Sequence, residues 1–359
     1  MNDGAMRVGV VGCGNIAGPY AEAMKAYPQL ELVGAADLDP ERARAYGEKH
    51  GCRAYGSLDE LLADEGVDCV LNLTIHHAHP EVVTKSLNAG KHVWSEKPLA
   101  MTYAESAQLV ALATQTGLRL GCSPITYLGE AAQTAGRYLR SGALGPVRAV
   151  FAEVNHGRIE TWHPAPAPFY EVGPLFDVGV YPLTLLTAFL GPARRVTAYG
   201  TVLKPERVTK TGDPFTVGTP DFTVAMLELE SGPLVRLTAN FYVNSLSRQG
   251  EAIEFHGDDG MLNLSNWVDF KAPVEASPFR NAKWEPVALA RESRGGVDWG
   301  IGIADMADAI RDGRPHRATG EHQAHVVEIM EATQRSAATG QPVEITSRFT
   351  QPEPMDWAR

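Results

Sequence analysis

Four groups of residues in this chain of 359 amino acids have the types and spacings that chemistry needs. The first is a glycine turn, Gly12-Cys13-Gly14, behind the aliphatic run Val8–Val11 and ahead of an expected helix through Lys25. Its glycines let the backbone bend tightly and approach a pyrophosphate. The N–H groups of Asn15, Ile16 and the opening helix then face that anion, and Ala17 is small enough for close helix–strand packing. The second is Asp37, placed 20 residues beyond Ala17 at the end of the run Leu32–Ala36, where a dinucleotide site needs a carboxylate for the adenosine ribose. The third is the pair of segments Thr74–His79 and Glu96-Lys97-Pro98, each following a buried-strand pattern. Open α/β sheets bind ligands outside the carboxyl ends of their strands, so both segments should face the crevice of the glycine turn. A lysine there can orient an alcohol and stabilise a developing alkoxide, and Pro98 suits a rigid turn with a cis bond. The fourth is Asp177 and Tyr181, which share one face if a helix starts at Asp177, although Pro182 removes a donor from that first turn.

The elements that must position these residues alternate in the first third. Strand patterns at Val8–Val11, Leu32–Ala36, Cys52–Tyr55, Val67–Leu73, His92–Ser95 and Arg119–Cys122 are separated by helix patterns. Capping boxes at Ser57–Glu60 and Thr102–Glu105 open two of the helices, and Gly90 and Gly117 close two. That rhythm predicts an α/β Rossmann domain, a doubly wound parallel sheet, over residues 1–123. Beyond it come a helix, Glu130–Arg140, a strand, Val147–Asn155, and a helix, Asp177–Leu190. Alternating runs follow at Arg195–Thr201, Phe222–Glu230, Leu234–Asn240, Ala252–His256 and Met261–Leu264, several joined by short turns. They predict an α+β domain over residues 124–359 with a large, mostly antiparallel sheet. Helices at Trp299–Arg311 and Glu321–Ala338 complete it, and the tail after about residue 347 reads as peripheral.

Composition narrows the partners. With 32 basic against 43 acidic residues the net charge is −11, and no basic block appears, which argues against nucleic acid or an anionic membrane. No apolar run approaches a bilayer span, and the start MNDGAMRVGV lacks signal-peptide character. Cys13, Cys52, Cys69 and Cys122 read as small core residues of a reducing compartment, three in buried strands and one in the glycine turn, so a cytoplasmic location is expected. His76 and His79 are three apart, but sequence fixes no further ligand beside them, so no metal is expected. Asp37 and Asp39 would repel a 2′-phosphate, favouring NAD over NADP, while nearby Arg42 keeps NADP open.

Taken in order, Gly12-x-Gly14-x-x-Ala17, Asp37, Ala89-Gly90-Lys91-His92-Val93 leading to Glu96-Lys97-Pro98, and Asp177-x-Gly179-x-Tyr181 resemble one family over nearly the whole chain. It is the glucose–fructose oxidoreductase / inositol dehydrogenase / rhizopine catabolism (Gfo/Idh/MocA) family of NAD(P)-dependent oxidoreductases. The resemblance implies hydride transfer between nicotinamide and a secondary hydroxyl or keto carbon of a sugar, cyclitol or related polyol. It implies Lys97, Asp177 and Tyr181 as catalytic residues. It places Gly12, Gly14, Asn15, Ile16, Asp37, Thr74, His79, Glu96 and Lys97 along the cofactor. Many relatives carry His where this chain has Tyr181; the tyrosine form resembles the glucose–fructose oxidoreductase and dimeric dihydrodiol dehydrogenase branches. A tyrosine with a pKa near ~10 is a poor base at neutral pH. A cation within about 4–6 Å lowers an anionic group's pKa by roughly 1–3 units. The expected division of labour is therefore that Tyr181 exchanges the hydroxyl proton, Lys97 tunes it and positions substrate, and Asp177 orients the pair.

For the substrate, the loop Arg158–Tyr170 offers Trp162, His163, Phe169 and Tyr170, flat apolar faces with polar edges, held by Pro164, Pro166, Pro168 and Pro174. Tyr127, Asn155, His156 and Arg158 are further candidates for substrate contact, beside Lys97, Asp177 and Tyr181. Two alternatives keep the fold. One is an NAD-retaining lyase, epimerase or glycosidase working through a transient keto-sugar; the other is a non-catalytic NAD-binding sensor, against which Lys97, Asp177 and Tyr181 speak. A homodimer or homotetramer through the second domain's sheet is expected from the alternating residues Val224, Met226, Leu227 and Leu229.

Overall fold

A computed structural model describes residues 4–281 and 283–359. The chain divides into two compact units, the first running to Ile125 and including Asp298–Val327, the second holding Thr126–Val297 and Glu328–Arg359.

The first unit alternates β1 (Met6–Val11), α1 (Ala17–Met24), β2 (Leu30–Ala36), α2 (Pro40–His50), β3 (Arg53–Ala54), α3 (Leu58–Ala63), β4 (Cys69–Asn72), α4 (His79–Asn88), β5 (His92–Ser95), α5 (Tyr103–Thr116) and β6 (Leu120–Cys122). The six strands are parallel, in the order β3-β2-β1-β4-β5-β6. The order reverses between β1 and β4, and that switch point is where an open sheet leaves a crevice for a ligand. Every residue of β4 is buried, as a strand covered on both faces requires. Both predicted capping boxes form. Ser57 accepts from the Glu60 N–H while Glu60 reaches back to the Gly56 N–H, and Thr102 accepts from the Glu105 N–H.

The first unit also takes in a later stretch of chain, Asp298–Val327. After β6 the chain leaves, then returns as α9 (Ile301–Asp312) and the segment behind it to close the β6 edge. Gly121 bridges Thr319, and the Cys122 N–H donates to the Ala318 carbonyl at 3.1 Å. Fully buried Trp94 explains the fit: a Cβ on Gly302 would stand 2.2 Å from its ring and one on Gly121 2.5 Å. Glycine at both positions lets α9 and β6 close on the indole.

The second unit contains α6 (Glu130–Arg140), β7 (Val147–Asn155), α7 (Ala167–Pro174), α8 (Val180–Leu190), β8 (Ala193–Thr201), a separate ribbon of β9 (Glu206–Val208) and β10 (Pro214–Thr216), then β11 (Phe222–Leu229), β12 (Leu234–Asn240), β13 (Ile253–Gly257), β14 (Gly260–Leu264), β15 (Val274–Pro278) and β16 (Glu285–Pro286). After α10 (Gly320–Thr339), which passes from the first unit into the second, comes β17 (Val343–Glu344). Nine strands form one sheet, β16-β15-β14-β13-β7-β12-β11-β8-β17, antiparallel except where β7 and β12 run parallel. The short strands β9, β10, β15, β16 and β17 lay below what alternation reveals.

Three expectations are corrected here. Leu227 and Leu229 point into the core at 2% and 3% exposure, whereas Val224 and Met226 lie half-buried on the opposite face, so the four do not make one surface. Cys52 is half-buried just before β3 rather than within a strand, although all four thiols are free. The helical run Ala167–Leu190 does reach bilayer-spanning length and hydropathy, but 78% of its apolar window is buried inside the protein. It is the unit's core helix, broken by Gly173 at φ 79° and by a π-helical turn at Leu175–Gly179.

Candidate functional site

At the end of β1 the chain turns at Gly12, with φ 93°. A Cβ there would stand 2.8 Å from the backbone of Leu73 and Thr74, so β4 approaches the turn too closely for any side chain. Gly14 is exposed, and a Cβ on it would meet nothing within 4 Å. Its glycine therefore answers no neighbour in the protein and suits an anion seated on the turn. No side chain caps the start of α1, no acid stands in its first turn, and Asn15 is exposed beside it, which leaves the helix start to a phosphate. Asp37 accepts from the Cys13 N–H at 2.7 Å and the Asp39 N–H at 2.9 Å. These bonds hold its carboxylate beside the turn with acceptor capacity left for ribose hydroxyls. Burial, with Asp37 beside it, pushes the Cys13 thiol up to about 12, so it stays protonated and inert. Arg42, exposed on α2, faces Asp39 at 3.5 Å. The turn, the helix start and Asp37 together fit a dinucleotide.

Thr74 is held by Asn72, whose side-chain oxygen accepts from its hydroxyl at 2.7 Å, while the Asn72 amide donates to Ser95 at 3.1 Å and joins the ends of β4 and β5. His79 and Glu96, expected along the cofactor, both bond within the first unit. His79 is 1% exposed and turns Nδ1 to the Pro98 carbonyl at 2.7 Å and Nε2 to the Thr74 carbonyl at 3.0 Å, so both ring nitrogens face backbone carbonyls, only one of which a neutral ring can serve as donor. Burial holds its pKa below the ordinary histidine range. It braces the loop after β4 against the one after β5. Glu96 is buried: Oε1 accepts from the Tyr20 hydroxyl at 2.6 Å and Oε2 from the Lys97 N–H at 3.1 Å. The Tyr20 hydroxyl also meets Ser123 Oγ at 2.9 Å, so α1, β5 and the exit of β6 converge on one phenol. Burial and Glu96 raise the Tyr20 pKa well above its usual value, which keeps it a donor. Lys97 itself is half-buried, ahead of a cis bond to Pro98.

In the second unit Asp177 lies within the π turn and Tyr181 on the first turn of α8, both half-buried. A regular helix from Asp177 is not what forms. Pro182 offers no N–H to the Val178 carbonyl and its ring would press on that group, and the wide turn just ahead relieves the conflict. The Tyr181 ring lies 5.6 Å from Trp267, at 30°. The Trp267 indole N–H donates to the Glu153 carbonyl at 3.0 Å, and its backbone N–H to the Glu251 carbonyl at 3.1 Å.

The expected substrate residues separate into two sets. His156, Arg158 and Trp162 line one cavity of about 370 Å³ together with Asn244, Ser245 and Glu251. The others bond elsewhere in the protein or are buried. The Asn155 oxygen accepts from Asn240 at 2.7 Å, and its amide points to Ser247 and the Gln249 carbonyl. Tyr127 is 2% exposed. His163 bonds within its own loop to Ala165. Tyr170 donates to Glu160 and accepts from Arg207 at 2.8 Å, inside a buried cluster in which Arg207 also pairs with Asp221. Burial, then Glu160, raises its pKa and holds the phenol neutral. Tyr20, Arg207, Glu251 and Trp267 carry no local motif; only pairings across long sequence separations reveal them.

The switch-point sheet with its glycine turn, followed by a large mixed sheet, defines a dinucleotide-binding oxidoreductase of two units. Residues 6–123 match the model of an oxidoreductase family with an NAD-binding Rossmann fold, and residues 132–263 match the GFO/IDH/MocA C-terminal domain. The chain belongs to the glucose–fructose oxidoreductase / inositol dehydrogenase / rhizopine catabolism family and is an NAD(P)-dependent enzyme with a small-molecule substrate. It is 36% identical over 206 residues to a dTDP-3,4-didehydro-2,6-dideoxy-alpha-D-glucose 3-reductase of Streptomyces violaceoruber, a match spanning 57% of this chain and 59% of the reductase. It is 28% identical over 313 residues to the trans-1,2-dihydrobenzene-1,2-diol dehydrogenase of Oryctolagus cuniculus, covering 84% of this chain and 88% of that one. An NAD-binding oxidoreductase from Klebsiella pneumoniae shares the fold with a TM-score of 0.84 at 20% identity, over 96% of this chain and all of its own.

Proposed function

We propose that the protein transfers a hydride between NAD and a secondary carbinol or keto carbon of a sugar, cyclitol or related polyol. The observation that carries the reading is the backbone anchoring of Lys97 by buried Glu96 at the carboxyl end of β5, in the sheet that ends in the glycine turn. That the similar proteins include a reductase of a dTDP-sugar and a dehydrogenase of a cyclic diol supports a hydroxylated ring as substrate. Gly12, Gly14, Asn15, Ile16 and Thr74 would hold the phosphates and the near face of the cofactor, and Asp37 the ribose. When bound, NAD supplies the hydride acceptor at nicotinamide C4.

The chain's own residues then handle position and proton. Lys97 donates to the reacting oxygen and stabilises the charge that develops on it. The Tyr181 phenol exchanges the hydroxyl proton, and Asp177 orients the two. Asp37 disfavours a 2′-phosphate, so NAD is the better cofactor. A homodimer or homotetramer and a cytoplasmic location complete the proposal.

The test is a panel of sugars and inositols with NAD and with NADP, followed at the reduced-nicotinamide absorbance. Steady NADH release with at least one of them is expected, faster with NAD. Substrate conversion without net NADH release would instead mark an enzyme that keeps its hydride and returns it.

A further inference from the structure

We propose that the cavity lined by His156, Arg158 and Trp162 is a specificity subsite, in which His156 reads one ring hydroxyl of an uncharged, monosaccharide-sized polyol and Glu251 is the residue that positions it. The inference rests on the function proposed above and goes further, to the group that selects the substrate. His156 Nδ1 lies 2.8 Å from Glu251 Oε1. A carboxylate only accepts, so Nδ1 carries the proton, and in the neutral ring Nε2 is left as an oriented acceptor. The carboxylate is held in turn, since the Asn266 amide donates to Oε2 at 3.3 Å. Donors stand around that acceptor. Arg158 is spread over the Tyr242 ring at 4.4 Å, and Asn244 and Ser245 line the same cavity. Trp162, 47% exposed, stands edge-on to His156 at 6.1 Å and offers a flat face to a ring.

Size and charge narrow the ligand. About 370 Å³ accommodates a single ring. The lining carries one arginine and one glutamate, so no excess positive charge is present to hold an anion. The cavity is also tied to the proposed proton carrier. The Trp267 N–H donates to the Glu251 carbonyl, and the Tyr181 ring lies on the Trp267 indole. A site built around an oriented acceptor penalises a ligand that lacks the matching hydroxyl, because an acceptor covered by the bound ring is then left unpaired.

The experiment measures kcat and KM with NAD for D-glucose, D-galactose, myo-inositol and 1,5-anhydro-D-glucitol, each with its monodeoxy analogues, and for D-glucuronate as an anionic control. The proteins are the wild type, His156→Leu, Glu251→Leu and Glu251→Gln. Removing one particular hydroxyl should cost the wild type roughly 100-fold or more in kcat/KM, and His156→Leu less than about fivefold. Glu251→Leu should lose the discrimination likewise, whereas Glu251→Gln, whose amide oxygen still accepts from Nδ1, should retain it. If His156→Leu does not fold, His156→Gln is read in the same comparison. Equal deoxy penalties in wild type and His156 variant, or a preference for D-glucuronate, overturn the subsite alone. A wild type that turns over no probe overturns the proposed function and the subsite with it.

Discussion

Tyr20, on the helix behind the glycine turn, and Glu96, at the end of β5, stand 76 residues apart in sequence and share a 2.6 Å hydrogen bond. The other oxygen of Glu96 holds the backbone of Lys97. The bond therefore couples the element that would receive the phosphates to the segment that carries the proposed catalytic lysine. Tyr20→Phe leaves a buried carboxylate oxygen short of a donor and should cost about 1–3 kcal/mol. Urea titration checks this, and an unchanged midpoint would show that water replaces the phenol at no loss.

Asp37 should set the cofactor. Replacing it with Ser removes the charge that would bind the ribose and repel a 2′-phosphate. The kcat/KM with NAD should fall by roughly 10–100-fold, the scale of a hydrogen bond to a charged group, while NADP loses less or gains. Parallel kinetics with both cofactors decide it.

Tyr181→Phe keeps the ring against Trp267 and removes only the hydroxyl. If the phenol moves the proton, kcat should drop by roughly 10²–10⁴ with little change in NAD affinity measured by titration of intrinsic fluorescence. Near-normal turnover would sink the role.

The Arg207 guanidinium, fully buried, pairs with Glu160 and Asp221 and stacks 4.6 Å from the Tyr170 ring. Arg207→Met would strand two buried carboxylates and should cost roughly 3–5 kcal/mol, read from the urea midpoint. Loss of the order in the neighbouring aromatic loop should appear as a raised KM among variants that still fold.

Acid should destabilise the first unit through two buried histidines. Burial lowers His316 to about 4 and His322 to about 3, against an ordinary value of 6.5. Because the folded values lie below the unfolded one, their contribution is complete above about pH 6.5. It is lost as pH falls from there, through about 4 for His316 and about 3 for His322, because unfolding takes up the protons. For His316 the loss amounts to about 3 kcal/mol. Unfolding free energy against pH should slope over this window, and His316→Gln should flatten the upper part.

Much of this molecule is decided by neighbours in sequence. An aliphatic run into Gly12, two capping boxes, and strands ending ahead of Thr74 and Glu96 are local patterns. Local backbone sterics and hydrogen bonding dictate them, and all of them appear in the structure. The turn chemistry of Gly12 and the carboxylate at Asp37 follow from spacing alone, because strand and helix lengths fix where the next strand end falls. The hydrogen-bond partners of polar side chains near those ends do not follow. His79, Glu96, Asn155 and Tyr170 have the right types and places for ligands, yet each spends its hydrogen bonds on Pro98, Tyr20, Asn240 or Arg207, 19 to 85 residues away. A buried polar group must be satisfied, and which partner satisfies it is known only once the chain has folded back on itself. The same is true of the π turn at Asp177, set by a proline five residues on, and of α9, whose return to β6 depends on Gly121 and Gly302 meeting one tryptophan.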